Sequence, residues 1–180
     1  TERLEAFALE EGATKFMVAL AGLYLMLMRA TGQRDLSVGT PTAGRTRSEL
    51  EGIIGFFANT LVLRVEIEPA MDFRGLVRAV RERVLEADEH QDAPFERIVE
   101  ALAPERELDS TPLFRVLFTF DEGGGEEAAD GAQRRVADLT MERLESDDRE
   151  AKFDLNWGLD YIDDRLEVRV SYKCNLFVDA

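Results

Sequence analysis

Apolar positions recur at helical spacing in the first third of the chain. Leu4 to Glu11 reads as a short helix closed by Gly12. Thr14 is placed to cap a second helix that runs to Arg29 or Thr31 and closes at Gly32. That second helix is apolar on every face, which predicts a central helix covered on all sides. Farther on, Asp72 is placed to cap an amphipathic helix to about Asp88, with Phe73, Leu76, Val77, Val80 and Val84 as its stripe. Pro94, at a first helical position, starts another helix with Phe95, Ile98, Val99 and Leu102 on one side.

Elsewhere the period changes to two. Asp35 to Gly39 predicts a short buried strand, and the polar stretch Thr40 to Gly52, with Pro41 and Gly44, an ordered loop. From Asn59 to Ile67, Leu61, Leu63, Val65 and Ile67 face one way while Thr60, Arg64 and Glu66 face the other. Leu113 to Phe120 is apolar and aromatic and predicts a strand, and Val136 to Leu144 a weaker one. The strongest alternation sets Phe153, Leu155, Trp157, Leu159 and Tyr161 against polar neighbours. After Asp163-Asp164 it resumes with Leu166, Val168, Val170 and Tyr172, which predicts an antiparallel hairpin with one wet face. Residues 121–135 hold Gly123-Gly124-Gly125, several acids and no large apolar side chain, and read as a flexible loop. No internal repeat is visible. The mixture predicts an α/β (α+β) two-layer sandwich, a mixed sheet with helices packed on one side.

Composition narrows the function classes. The 180 residues fit one domain or one large lobe, and 45% apolar residues are enough for a core. With 22 basic and 37 acidic residues the net charge is −15, which disfavours phosphate backbones and anionic lipid as partners. Only Lys15, Lys152 and Lys173 are lysines, and the arginines form no cluster. The apolar run from Phe16 to Met28 would span roughly 20 Å as a helix, too short for a bilayer core. The single cysteine, Cys174, excludes an internal disulfide and fits a reducing, cytoplasmic setting. Thr1 is not an initiator and the last residues open an apolar segment, so the chain reads as a fragment cut from a longer one.

Standard catalytic patterns are missing. There is no phosphate loop, no dinucleotide-binding glycine pattern and no nucleophile elbow. Metal-ligand spacing is absent too, and Asp160, Asp163 and Asp164 fall at a hairpin turn, where aspartate is favoured for backbone reasons. His90 is the sole imidazole and sits at a junction between two helices, where it reads as a capping residue. Cys174, near the end of a predicted strand, reads as a packed thiol. No complete catalytic site can be assembled from these residues.

Three stretches nonetheless carry a family resemblance. Ile54-Gly55-Phe56-Phe57-Ala58-Asn59-Thr60-Leu61-Val62-Leu63-Arg64 resembles the IGxFVNTLxLR motif of condensation domains of nonribosomal peptide synthetases. His90-Gln91-Asp92-Ala93-Pro94-Phe95-Glu96 is similar to their HQDxPFE motif. Arg106-Glu107-Leu108-Asp109-Ser110-Thr111-Pro112-Leu113-Phe114 is similar to their RDxSxxPLF motif. The segments Gly32 to Asp35, Gly39 to Arg45 and Lys152 to Leu155 also fit, in the family's order. Ala58 replaces the usual valine. The family's HHxxxDG signature, which precedes these motifs in a full domain, is not in this sequence.

The resemblance implies one lobe, residues 1–180, of a chloramphenicol-acetyltransferase-like fold, in which two lobes form a V around a reaction chamber. It implies a parent acyltransferase that forms an amide between a donor thioester and an acceptor aminoacyl thioester. Both would ride on the phosphopantetheine of peptidyl carrier proteins, with no cofactor bound directly and an adenylation domain in the same synthetase. It gives this lobe no catalytic residue, the imidazole base belonging to the missing N-terminal lobe. Residues 40–55 would resemble the loop beneath the chamber, with Thr40, Pro41, Gly44, Arg45, Gly55 and Asn59 lining the channel. The segment from about 119 to 136 would resemble the crossover between lobes. His90, Gln91, Asp92, Pro94 and Phe95 would be structural members of their motif, while Arg45 and Arg47 are either solvated or paired with Glu49 and Glu51. The competing readings are a carrier-protein or interdomain docking module without chemistry, and a lobe of an epimerization domain or free-standing acyltransferase.

Overall fold

A computed structural model describes residues 2–102, 112–122, 134–136, 139–141, 151–162 and 165–177. Helix α1 (Glu2–Glu10) leads into α2 (Lys15–Thr31), where Thr14 Oγ1 accepts the Met17 N–H at 3.2 Å. Gly32 ends α2 at φ 73°, a left-handed conformation that side-chain-bearing residues rarely adopt. Asp72 Oδ1 accepts from the Gly75 N–H at 2.7 Å and opens α3 (Phe73–Glu89). Helix α4 (Phe95–Leu102) follows after a tight junction. Pro94 stands just before it, and its carbonyl accepts from Arg97 and Ile98.

The strands are β1 (Asp35–Thr42), β2 (Asn59–Glu66), β3 (Val116–Asp121), β4 (Arg134–Val136), β5 (Leu139–Met141), β6 (Leu155–Ile162) and β7 (Arg165–Tyr172). Five of them form one mixed sheet in the order β2-β1-β3-β6-β7. The inner pairs β1·β3 and β3·β6 are parallel, and the outer pairs are antiparallel. β4 and β5 pair with each other in a separate two-stranded ladder. The predicted hairpin is present, Trp157 opposite Val170 and Leu159 opposite Val168, but it does not have the single wet face expected: β7 is exposed on both faces, and Asp160, on the polar side of β6, is buried.

Two strand boundaries differ from expectation. β1 runs on to Thr42 because β2 pairs with it to the end, Thr42 opposite Asn59. Pro41 is tolerated there because β3 has already left the other side of β1 by that point, so the missing N–H breaks no ladder with it. β3 begins only at Val116, because Leu113 takes φ 73° and cannot continue a strand. The predicted weak strand at 136–144 resolves into the end of β4 and all of β5. Residues 123–133 of the acidic, glycine-rich segment and residues 142–144 lie outside the described residues.

Helices α1, α2 and α3 cover one face of the sheet, as the pattern predicts. Leu20, Tyr24, Val38, Val77, Val80 and Phe118 are wholly buried between the layers. Each such aliphatic or aromatic side chain contributes about 1.5–3 kcal/mol through burial. Tyr24 spans the layers: its O–H donates to the Leu63 carbonyl at 2.6 Å, and burial pushes its phenol pKa up. Tyr161 O–H donates to Glu5 Oε1 at 2.9 Å and Lys15 Nζ does so at 3.3 Å, tying α1 to β6. These two bonds, Tyr161's first, hold the Glu5 carboxyl below its ordinary range. β7 extends past the helical layer and is exposed throughout. Among the described residues no single helix is long and apolar enough to cross a membrane.

Candidate functional site

Residues 43–58 leave the end of β1, turn through a short 3-10 helix (Ser48–Leu50) and return to β2. Two contacts pin this loop. Gly44 has φ 63°, and a side chain there would drive into the Phe57 carbonyl. Arg45 Nη1 donates to the Leu50 carbonyl and Nη2 to the Gly55 carbonyl at 3.5 Å, while its guanidinium lies 4.7 Å from the centre of the Phe57 ring. Arg45 therefore takes neither of its expected roles: it is neither merely solvated nor paired with Glu49 or Glu51, but holds its own loop closed. Beyond this staple Ile54 is 101% exposed and Phe56 93%.

Asn59 joins this loop to the junction between α3 and α4. Its Nδ2 donates to the carbonyls of Gln91 and Ala93, both at 2.8 Å, and its Oδ1 accepts the Phe95 N–H at 3.1 Å. The first amide of α4 is thus satisfied from β2, as a capping side chain would do. Thr42 Oγ1 donates to Gln91 Oε1 at 2.9 Å, and Gln91 Nε2 donates to Asp88 Oδ1 at 2.7 Å. A cleft of about 460 Å³ lies between the loop and α4, lined in part by Gly44, Phe57, Asn59, Gln91, Asp92 and Pro94.

The aromatic residues behind the junction have a similar logic. Phe114, 4% exposed, lies over Gly39 on the face of the sheet opposite the helices, where a β-carbon at Gly39 would enter its ring. Phe95 meets Phe114 edge-on at 5.8 Å and Phe153 stacks on it at 5.5 Å. Phe95, Phe114 and Phe153, from three separate matching segments, therefore touch here; residues 106–111 of the segment that ends at Phe114 lie outside the described residues. Nearby, buried Asp154 pairs with Lys173 at 2.9 Å and Arg115 at 3.5 Å.

The candidate residues do not gather at one place. Gly44, Asn59, Gln91, Asp92, Pro94 and Phe95 gather at the cleft, while Arg45 and Gly55 belong to the loop staple. Thr40 and Pro41 instead line a second opening of about 370 Å³ at the ends of β1 and β3. Thr119, Phe120 and Asp121 form its other wall, and sequence reasoning gave none of them a substrate role, because only the divergence of two strands brings them there. His90 caps α3, is exposed, and lines a groove with Arg64, Glu66 and Glu86. Cys174 corrects its prediction: it lies beyond β7 and is exposed, not packed. Among the described residues no group of three or more His, Cys, Asp or Glu is placed to hold a metal.

The Condensation domain family model matches residues 1–180. Surfactin synthase subunit 1 of Bacillus subtilis (strain 168) is 42% identical over 176 residues, which is 98% of this chain and 5% of that protein. Chondramide synthase cmdD of Chondromyces crocatus is 38% identical over 180 residues, covering 100% of this chain and 4% of that protein. Among solved structures, holo-AB3403, a four-domain nonribosomal peptide synthetase bound to AMP and glycine, has a TM-score of 0.84 at 24% identity, over 96% of this chain and 14% of that one. The X-domain in its complex with OxyB from teicoplanin biosynthesis has a TM-score of 0.73 at 28% identity, over 88% of this chain and 33% of that one. The chain spans a small part of the curated relatives it matches and about a third of that X-domain.

Proposed function

Because this chain belongs to the condensation-domain family, we propose that it forms the C-terminal lobe of such a domain and one wall of its reaction chamber. The parent then joins a donor acyl or peptidyl thioester to an acceptor aminoacyl thioester through an amide bond. Both substrates are carried on the phosphopantetheine of carrier proteins of a cytoplasmic synthetase that also holds an adenylation domain. Thr40, Pro41, Gly44, Arg45, Gly55 and Asn59 shape the channel floor, and the other lobe supplies the imidazole that assists the acceptor amine.

The observation that carries this reading is the Asn59 joint, whose three hydrogen bonds bring two of the motif stretches together at one corner. The loop held beside it offers Ile54 and Phe56 to solvent at nearly full exposure. Large apolar side chains on a pinned loop fit a surface that another part of a complete domain covers. The sequence has one histidine, and it sits at the end of α3, outside both openings. Incubated alone with loaded donor and acceptor carrier proteins, this chain is expected to give no amide product above background by mass spectrometry. Product from the chain alone contradicts the assignment.

A second reading is favoured by one observation: the structurally similar X-domain is known in complex with OxyB. On that reading the lobe docks a carrier or neighbouring protein without chemistry. Carrier proteins are usually acidic, and a net charge of −15 opposes tight electrostatic docking with them.

A further inference from the structure

β1 and β3 are hydrogen-bonded neighbours only at Val38–Val116 and Gly39–Leu117. Past that point both strands continue, but apart. β1 stays paired with β2 as far as Thr42, and β3 stays paired with β6 as far as Asp121. The 370 Å³ opening is the wedge between them. Its walls are residues 40–42 and 119–121, so they present strand backbone that has lost its neighbour on that side, together with the hydroxyls of Thr40 and Thr119. Its floor is apolar: Phe16 from α2, Leu61 and Leu63 from β2, and Val84 from α3.

We infer that this wedge is a side-chain subsite: it takes the aliphatic or aromatic side chain of a thioester-bound amino acid and hydrogen-bonds the adjoining amide. The inference rests on the proposed function for the identity of the ligand, and on the divergence of β1 and β3 for its place. The apolar floor accepts the side chain. Backbone groups of the parted strands, without a strand partner on that side among the described residues, meet an amide as they would meet a further strand. Asp121 at the wall is exposed, and among the described residues no cation lines the opening beside it, which disfavours an anionic ligand. Leu61 is part of that floor. It is only partly buried and stands outside the core cluster, so changing it alters the wedge before it alters the fold.

The test is an NMR titration of the 180-residue chain with non-hydrolysable glycyl-, leucyl- and phenylalanyl-pantetheine, with pantetheine alone, and with N-acetyl-leucinamide. The leucyl and phenylalanyl compounds are expected to shift the amides of residues 40–42 and 119–121. They should bind at least about tenfold more tightly than the glycyl compound, the gain expected from burying one such side chain. Leu61→Trp should abolish that preference, and Leu61→Ala should move it toward the phenylalanyl compound. Equal affinity for all three side chains, or shifts confined to other residues, overturns the subsite while leaving the proposed function standing. Shifts of these amides with N-acetyl-leucinamide but with no pantetheine compound support the wedge and instead overturn the proposed function.

Discussion

Asn59→Asp is expected to destabilise the chain by about 2–4 kcal/mol at neutral pH, a large effect for a change of one atom. The Phe95 N–H keeps its acceptor. The Nδ2 group, however, becomes an oxygen that faces the Gln91 and Ala93 carbonyls, each 2.8 Å away. Two hydrogen bonds are replaced by two repulsions, and both carbonyls are left without that donor. The introduced carboxyl is then easier to protonate in the folded chain than in the unfolded one. A group with a raised folded pKa favours folding below its unfolded pKa and loses that contribution as pH rises through the folded value. The deficit of the variant relative to the parent should therefore shrink on acidification toward pH 4. Urea melts at several pH values measure it. A deficit independent of pH, or below about 0.5 kcal/mol, would show that the joint does not hold the α3–α4 junction.

Gly39→Val should cost about 3 kcal/mol, at the upper end for overpacking a core position. Its first carbon would occupy the Phe114 ring, and that ring is itself confined by Phe95 and Phe153. Relief requires expelling Phe114, which removes the support beneath α4. Hydrogen exchange should therefore accelerate at α4 more than at α2, whose core lies on the other face of the sheet. Uniform acceleration across both helices would mean that Gly39 matters only to the global fold and not to this corner.

Local signals were legible wherever the physics is local. Thr14, Gly32 and Asp72 mark helix ends by side-chain or backbone requirements that any sequence exposes. The alternation at Leu63, Val65 and Ile67 already states which face of β2 is buried, and Leu155, Trp157 and Leu159 turn to the same core from β6. The placement of β3 between β1 and β6 was not legible, because parallel partners distant in sequence leave no periodic trace. Pro41 looked like a loop residue, and it lies in a strand only because β3 has parted from β1 there. Arg45 carried a charge, which suggested acidic partners, yet it serves as a fork for carbonyls of its own loop. Asn59 could be quoted as part of a motif, but its three bonds depend on the α3–α4 junction arriving beside it. One hint was available: Phe95 follows a proline at a helix start, so its N–H needs an acceptor and no local side chain supplies one. Of the wedge, only Thr40 and Pro41 carry a signal, through the family resemblance; the wall at residues 119–121 has none, since it is a property of two strands diverging.

On the proposed function, these residues build half of a chamber whose chemistry is completed from outside. The direct measurement combines this chain with a separately produced polypeptide bearing the HHxxxDG half of a condensation domain from the same synthetase. Loaded donor and acceptor carriers are added, and the condensed product is followed by mass spectrometry. Product should form only when both halves are present, and Asn59→Asp should reduce it. Product of equal yield with the HHxxxDG half alone would contradict the claim.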